Sequence, residues 1–277
     1  MERLFILPFD HRSGIAKQLL GIDYPIKKKS DVKRMTELKQ MVYEAVLMAQ
    51  KHVDHPEQIG ILVEEEFGAS ILRDAKKRGV VRAVTVEKTG RALFEMEYGQ
   101  SFAKHLKKYT PDYAKVLIRY DHADKKGNAA QNARLKKVSD FCHRHDLRFM
   151  LEVLLTGKGS RLARMKKMIS TLERQGIRPD VWKLEGLEKA SDWKHVARIT
   201  KGDLIILGHG SSKKDVERWV REAAKSGVVK GFAIGRTVFF RPLKEYLNGK
   251  RTRTKTIQQM EKNFLDFIHL FETSSSP

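Results

Sequence analysis

Short apolar runs alternate with amphipathic stretches along the whole chain. Each run is followed by a polar or glycine-containing turn and, in nearly every case, by residues with helical periodicity. The eight runs are Leu4 to Phe9, Ile59 to Val63, Ala83 to Val86, Ala114 to Ile118, Arg148 to Leu155, Val181 to Leu184, Leu204 to Leu207 and Gly231 to Ile234. Runs of this kind are typical of parallel strands buried on both faces. The pattern predicts an α/β fold, a single (β/α)8 TIM barrel, with a doubly wound open sheet as the alternative.

Helical periodicity is clearest between the first two runs. Apolar residues recur at every third or fourth position from Ser30 to Lys51, which predicts a helix that buries one face. The same spacing predicts helices over Asn132 to His143, Arg161 to Gln175, Asp215 to Ser226 and Thr254 to Phe271. No linker or low-complexity tract interrupts the pattern. We therefore expect one domain over residues 1–272 and a disordered tail over residues 273–277.

Length and composition restrict the class of protein. A chain of 277 residues with 41% hydrophobic content can bury a large core. It has no apolar stretch long enough to span a membrane and no signal-peptide pattern, so we expect a cytoplasmic protein, with a homo-oligomer left open. Cys142 is the single cysteine, which excludes an intrachain disulfide and a cysteine-based zinc cluster. Because the histidines also lack ligand spacing, we predict no metal and no cofactor.

The charge is strongly positive. Lysine and arginine number 55 against 34 acidic residues, giving a formal net charge of +21. The excess lies in dispersed clusters such as Lys27 to Lys29, Lys76 to Arg78 and Lys250 to Arg251, and no RNA-recognition or zinc-finger motif accompanies it. This distribution predicts weak, nonspecific polyanion binding without a dedicated nucleic-acid groove, and it is compatible with a phosphorylated substrate.

Ionisable residues cluster where the predicted strands end. In a (β/α)8 barrel the catalytic groups lie at the carboxyl ends of the strands. The residues that we expect to converge there are Asp10 and His11 after the first run, Glu64 after the second, Lys115 and Arg119 in and after the fourth, Glu152 in the fifth, and Lys183 and Glu185 in and after the sixth. Lysine–glutamate pairs that merely fill a barrel interior are the alternative for any single member.

Lys183 is the most informative of these residues. It lies between Trp182 and Leu184 in a short apolar strand, and an ammonium removed from water tends to lose its proton, which produces a nucleophilic amine. A lysine whose stem is buried and whose head reaches the strand end is the alternative. Glu152 also lies within an apolar strand, so we expect burial to raise its pKa toward proton transfer. Asp10 and Lys115 are predicted to supply countercharges.

The last two predicted strands end in glycine-containing loops. Small residues that lead into a helix let backbone N–H groups approach an anion, and loops seven and eight form the usual phosphate site of this barrel. An arginine in the second loop adds a bidentate donor. The predicted phosphate ligands are Gly208, Gly210, Ser211, Gly235 and Arg236.

With these residues identified, the chain resembles the class I aldolase superfamily. It is most similar to the 2-deoxy-5-keto-gluconate 6-phosphate aldolase-like domain found fused to, or beside, the kinase of myo-inositol catabolism. The segments that carry the resemblance are Leu7 to Arg12, Ile61 to Gly68, Lys115 to Tyr120, Phe149 to Glu152, Asp180 to Gly186 and Gly231 to Thr237.

The resemblance implies specific roles. Related class I aldolases, including the tagatose-bisphosphate type, place the Schiff-base lysine on strand six, a second lysine on strand four, a carboxylate on strand five and an aspartate on strand one. This implies those roles for Lys183, Lys115, Glu152 and Asp10 in turn. The chain departs from the tagatose-type pattern at Arg119, where that group has an aromatic residue, so the aldehyde end of the substrate is expected to differ.

The sequence therefore predicts a cofactor-free class I aldolase that cleaves a ketose phosphate. The first substrate expectation is 2-deoxy-5-keto-gluconate 6-phosphate, with dihydroxyacetone phosphate and malonate semialdehyde as products. Three alternatives remain open. They are another sugar-phosphate aldolase of the tagatose-bisphosphate type, a non-catalytic barrel that binds a sugar phosphate or polyanion, and a metal-dependent aldolase.

Overall fold

A closed barrel of eight parallel strands forms the centre of the protein. The structure is a computed structural model that describes residues 2–275. The strands are β1 Leu4–Pro8, β2 Ile59–Val63, β3 Val81–Thr85, β4 Tyr113–Tyr120, β5 Arg148–Leu155, β6 Val181–Glu185, β7 Asp203–Leu207 and β8 Val229–Ala233. They pair in sequence order, and β8 closes on β1. The predicted (β/α)8 barrel is confirmed.

Helices follow the strands and surround the barrel. They are α1 Ser13–Ile15, α2 Lys29–Ala49, α3 Glu65–Lys77, α4 Phe102–Tyr109, α5 Lys125–Arg144, α6 Arg161–Arg174, α7 Ala190–Ala197, α8 Lys213–Lys225, α9 Arg236–Leu247 and α10 Arg253–Ser274. A π-helical turn at Ala16–Leu20 and 3-10 turns at Gln50–His52, Pro56–Gln58 and Gly99–Ser101 complete the set. Within residues 2–275, none of the helices has the length and apolar composition needed to cross a bilayer.

The helix bounds differ from the sequence predictions at capping residues. Helix α3 was not predicted, and it begins where the Glu64 side chain accepts a hydrogen bond from Phe67 N. Helix α5 starts at Lys125, earlier than predicted, because Asp124 caps it through Gly127 N at 2.8 Å. These acidic caps extend the helices because they satisfy free N–H groups of the first turn. Helix α10 continues to Ser274, two positions into the expected tail; residues 276 and 277 lie outside the described range.

The core consists of two apolar layers that the barrel wall separates. The larger layer lies between the strands and the helices, where α10 packs against α2, α8 and α9. The smaller layer fills the barrel interior and consists of Leu4, Ile6, Leu62, Ala83, Tyr113, Met150, Val181, Ile205 and Ala233. Gly231 makes closure possible, since its φ is 154° and a Cβ there would collide with the Leu4 carbonyl of β1. The inner layer forms a floor beneath the carboxyl ends of the strands.

Candidate active site

A cavity of about 310 Å³ opens at the carboxyl ends of the strands. Ten of the thirteen residues predicted for the site line it, namely Asp10, His11, Lys115, Arg119, Glu152, Lys183, Gly208, Gly210, Gly235 and Arg236. The lining also includes Arg12, Glu87 and the segment from Lys88 to Phe94, to which the sequence analysis assigned no role in the site. The three remaining predicted residues, Glu64, Glu185 and Ser211, do not line this cavity.

Strand register brings the ionisable side chains together. Glu152 is paired with Lys183 between β5 and β6, and Thr85 is paired with Lys115 between β3 and β4. Side chains alternate between the two faces of a strand, so Lys115 points into the barrel like Tyr113, which lies two residues earlier on β4. The charged residues therefore form one layer directly above the apolar floor.

Two lysines and three carboxylates form a connected network in this layer. Lys115 Nζ lies 2.9 Å from Asp10 Oδ2, 2.6 Å from Glu87 Oε1 and 2.9 Å from Glu152 Oε2. Lys183 Nζ lies 2.9 Å from the same Glu152 oxygen. Thr85 donates a further hydrogen bond to Asp10 at 3.0 Å. Both lysines are almost completely buried, at 1% and 3% exposed, so the carboxylates are their main compensation for lost hydration.

The network shifts the pKa values of its three carboxyl groups in different directions. Burial opposes ionisation of Glu152, but the adjacent Lys115 and Lys183 ammoniums outweigh it and lower the pKa of Glu152 to about 2. The expected rise in that pKa is therefore wrong, because two cations share this carboxylate. Burial likewise opposes ionisation of Asp10, yet Lys115 and its other neighbours hold the Asp10 pKa well below its usual range. Glu87 goes the other way, since burial raises its pKa and Lys115 only partly offsets this.

The two lysines have different environments. Although burial opposes its charge, Lys115 has three carboxylate partners, and they raise its pKa well above the usual value. Lys115 is therefore a fixed ammonium at neutral pH. Lys183 has one carboxylate partner, Glu152, among residues 2–275, and Glu152 is shared with Lys115. Of the two amines, Lys183 thus has fewer carboxylate contacts.

Glu64 was predicted to contact substrate, and the structure places it elsewhere. Its Oε1 lies 2.6 Å from Lys39 Nζ, and its Oε2 caps α3 through Phe67 N. Lys39, 1% exposed, also donates to the carbonyls of Phe9 at 2.6 Å and His11 at 3.0 Å. Glu64 therefore fixes the β1 loop through Lys39 and has no part in the cavity surface, a role concealed in the sequence because Lys39 lies far away on α2.

Two further predicted ligands are also displaced from the cavity. Glu185 Oε1 lies 2.7 Å from His209 Nδ1, and its other oxygen accepts from Leu155 N at 2.9 Å. It therefore holds His209, which does line the cavity and has a φ of 48°. Ser211 donates its backbone N–H to the Gly208 carbonyl at 3.0 Å, so that group is already satisfied. Both residues therefore support the loop that follows β7 without lining the cavity.

His11 lies at the cavity wall beside Asp10. Its Nδ1 is 3.9 Å from Asp10 Oδ1, and its ring meets Phe239 edge-on. Burial, only partly opposed by Asp10, lowers the pKa of His11 to about 4. The imidazole is therefore neutral at physiological pH and can accept or donate one hydrogen bond.

The side of the cavity formed by β7 and β8 is suited to an anion. Helix α9 begins after Gly235 without a side-chain cap, so no side chain of the cap residue competes with an anion at its N-terminus. Arg236 has no carboxylate partner within residues 2–275, and its guanidinium lies against Gly210, where a Cβ would collide with it. Gly208 and Gly210 complete this side. The arrangement offers positive charge and N–H donors to one oxyanion group.

Across residues 2–275, no three histidine, cysteine or acidic side chains converge in a way that could hold a metal ion.

Solved structures of similar shape include several aldolases. A protein of Corynebacterium glutamicum, Cgl0159, is 16% identical, with 95% of this chain and 86% of that chain covered and a TM-score of 0.61. An archaeal fructose-1,6-bisphosphate aldolase, solved with its catalytic lysine bound to the carbinolamine intermediate, is 13% identical, with 92% and 94% covered and a TM-score of 0.57. A fructose-bisphosphate aldolase of Slackia heliotrinireducens is 12% identical, with 94% and 86% covered and a TM-score of 0.58. At these identities the likeness establishes a shared barrel fold.

Sequence comparison gives a family. A comparison with curated proteins found no match. The sequence model of one family, DUF2090, matches residues 1–275, which is nearly the full length. The chain therefore belongs to the DUF2090 family, described as an uncharacterized protein conserved in bacteria.

Proposed function

We propose that the protein is a class I aldolase that cleaves a phosphorylated ketose through an imine on Lys183. The observation that carries this proposal is the asymmetry of the two buried lysines. Lys115 is held as a cation by three carboxylates, whereas Lys183 shares a single carboxylate at the cavity wall. The fold shared with Schiff-base aldolases adds support, since an archaeal aldolase of similar fold was solved with its catalytic lysine bound to the carbinolamine intermediate.

The cluster suits each step of this chemistry. Ionised Glu152, 2.9 Å from Lys183, accepts the proton that Lys183 must lose before it attacks the ketone, and returns it during dehydration of the carbinolamine. The resulting iminium accepts the electron pair of the carbon–carbon bond. Asp10 accepts the proton of the hydroxyl group on the β carbon, the far end of the bond that breaks. The fixed ammonium of Lys115, 2.9 Å from Asp10, stabilises the negative charge that develops on that oxygen.

Charge on opposite sides of the cavity supports a substrate with two anionic groups. Arg236 opens α9 after β8, while Lys88 and Arg119 lie at the ends of β3 and β4. Within residues 2–275 none of these three cations has a carboxylate partner. In the closed barrel β4 and β8 lie opposite each other, and β6, which carries Lys183, lies midway between them. A linear molecule with an anion at each end and a ketone between them fits this arrangement.

The substrate proposed is 2-deoxy-5-keto-gluconate 6-phosphate. Its phosphate would bind beside Arg236 and α9, with Gly208, Gly210 and Gly235 allowing close approach, and its carboxylate beside Lys88 and Arg119. Cleavage would give dihydroxyacetone phosphate and malonate semialdehyde. A tagatose-bisphosphate type of substrate, with a second phosphate in place of the carboxylate, is the competing choice, and relative kcat/KM for the two compounds decides between them.

Borohydride trapping tests the proposal. We expect reduction in the presence of dihydroxyacetone phosphate to add its mass to the peptide that contains Lys183, and we expect activity to persist with a chelator. Lys183→Ala should give no adduct, whereas Lys115→Ala should still be trapped on Lys183 but react slowly. An adduct on Lys115 or Lys88 would contradict the assignment of the nucleophile. Absence of any adduct or cleavage, with sugar-phosphate binding retained, would favour a non-catalytic barrel.

A further inference from the structure

Glu87 is a buried carboxyl group that the steps described above leave without a role. It lies just beyond β3, is 9% exposed and lines the cavity. Its Oε1 accepts a hydrogen bond from Lys115 Nζ at 2.6 Å. Its Oε2 is buried and has no hydrogen-bond partner within residues 2–275. A buried polar atom without a partner is costly, so its persistence at a cavity indicates a group that meets a bound molecule.

The backbone around Glu87 is firmly held. Arg12 Nη2 donates to the Glu87 carbonyl at 2.7 Å, and Arg12 Nη1 lies 2.5 Å from Glu97 Oε2. Glu87 also forms an isolated antiparallel bridge with Met96, and Glu97 N donates to the Val86 carbonyl at 2.9 Å. These contacts join the end of β3 to the loop that follows it. The carboxyl group is thus fixed relative to Lys115, as a group that delivers a proton must be.

The electrostatic balance of the cavity gives Glu87 a different protonation state from the other carboxyl groups. Lys115 and Lys183 already have Asp10 and Glu152, both ionised, as carboxylate partners. Burial, together with the negative charge of Asp10, keeps the pKa of Glu87 raised against the opposing effect of Lys115. The charged groups facing Glu87 are Lys115 from β4 and Asp10 and Arg12 from the end of β1, with Glu152 on β5 beyond Lys115. Groups whose environments separate their protonation states are suited to acid and base roles.

We propose that Glu87 is the acid that protonates the enamine carbon after the carbon–carbon bond has broken. This inference rests on the proposed aldolase function and concerns a later step. On cleavage, the hydroxyl proton passes to Asp10, its O–H electron pair forms the aldehyde C=O, and the broken carbon–carbon pair forms the enamine C=C. The enamine C=C pair then takes the proton from Glu87 Oε2, the O–H pair stays on the carboxylate, and the nitrogen pair restores the iminium. Asp10 returns its proton to water, and Glu87 takes one from water.

Hydrogen exchange into dihydroxyacetone phosphate isolates this step. In deuterium oxide, the iminium loses and regains a carbon-bound hydrogen through the enamine without any aldehyde present. We expect Glu87→Gln to retain borohydride trapping on Lys183 while exchange per trapped imine falls by on the order of 100-fold or more, the usual contribution of a general acid or base. Glu95→Gln is the matched control, because Glu95 lies on the same loop, is half-buried and does not line the cavity. The Glu95→Gln protein should show the same hydrogen exchange per trapped imine as the unaltered protein.

The possible outcomes separate the two proposals. Normal trapping with unchanged exchange in Glu87→Gln, or a raised KM with unchanged exchange per imine, would overturn the assignment of Glu87 and leave the aldolase function standing. Absence of an adduct in the unaltered protein would overturn the aldolase function, and the Glu87 assignment with it. If Glu87→Gln does not fold, Glu87→Asp replaces it, because the shorter acid should lower exchange at least tenfold. Unchanged exchange in that variant would equally refute the proposal.

Discussion

The protein buries lysine–carboxylate groups in two places, and they are satisfied to different degrees. Behind the barrel wall, Lys39 has an ion pair with Glu64 and donates to two backbone carbonyls, while Glu64 also caps α3. In the cavity, Lys183 has one shared carboxylate, and Glu87 Oε2 has no hydrogen-bond partner within residues 2–275. Burial of charge by itself therefore does not mark a functional site. Incomplete satisfaction at the edge of a cavity is the more informative property.

Loss of the cavity lysine should have the largest effect, and it should affect activity. Lys183→Met removes the nucleophile, so we expect kcat/KM to fall by roughly 1,000-fold or more. Stability should change little, because Glu152 keeps its contact with Lys115. Steady-state cleavage rates check the expected loss of activity, and urea unfolding of the same preparation checks the expected stability. A strongly destabilised Lys183→Met protein would remove the contrast between the two lysine sites.

Loss of the structural lysine should instead affect folding. Lys39→Met leaves Glu64 buried without its cation, and breaking such a pair costs about 3–5 kcal/mol in unfolding free energy. Urea unfolding measures this cost. In the double variant Lys39→Met, Glu64→Gln no buried carboxylate is left unpaired, so it should be less destabilised than Lys39→Met alone. An equally unstable double variant would mean that packing of the Lys39 stem, and not charge, dominates.

Removal of Arg236 tests the anion side of the cavity. We expect Arg236→Ala to lower kcat/KM for a phosphorylated substrate, because a charge-assisted contact is lost. The loss corresponds to about 2–4 kcal/mol of transition-state binding free energy. The matched control is Arg241→Ala on the same helix, whose side chain is 89% exposed and, among residues 2–275, pairs only with Glu245 at the surface. Normal kinetics in the Arg236 variant would contradict a phosphate site at α9.

The smallest expected effect is a pH dependence of stability. The folded-state pKa of Glu152 is lowered to about 2, below the value near 4 of an unfolded glutamate. Its ionised form therefore stabilises the fold above about pH 4, and that contribution is lost as the pH falls toward 2. We expect unfolding free energy to decline less steeply over this range in Glu152→Gln than in the unaltered protein. Parallel urea titrations would contradict the low pKa.

The fold could be predicted from the sequence because buried parallel strands have a strong local signal. All eight apolar runs coincide with strands, although β4 extends to Tyr120 and β8 starts at Val229, outside the apolar cores that identified them. Helix α3 was missed because Glu64, its cap, was assigned to the end of the second predicted strand. Three acidic residues followed by apolar positions at helical spacing, with Glu64 as the cap, carried the missing signal.

The site was predictable in position and less so in its electrostatics. Asp10, Lys115, Glu152 and Lys183 were chosen because they interrupt apolar strands, and they are in contact with one another. The protonation of Glu152 was misjudged because its two cations come from other strands. Glu64 could not be separated from the site residues, since its partner Lys39 lies on α2. Pairing across the barrel is a three-dimensional property, and a single sequence gives no direct signal for it.

The apolar floor of the barrel has a consequence for the order in which products leave. Nine interior residues close the cavity from below, so substrate and both products share one mouth at the carboxyl ends of the strands. Under the proposed chemistry, the ketone fragment stays covalently attached to Lys183 until water hydrolyses the iminium. The aldehyde must therefore depart first through that mouth. Product-inhibition kinetics should be ordered, with dihydroxyacetone phosphate competing directly against substrate and the aldehyde giving noncompetitive inhibition.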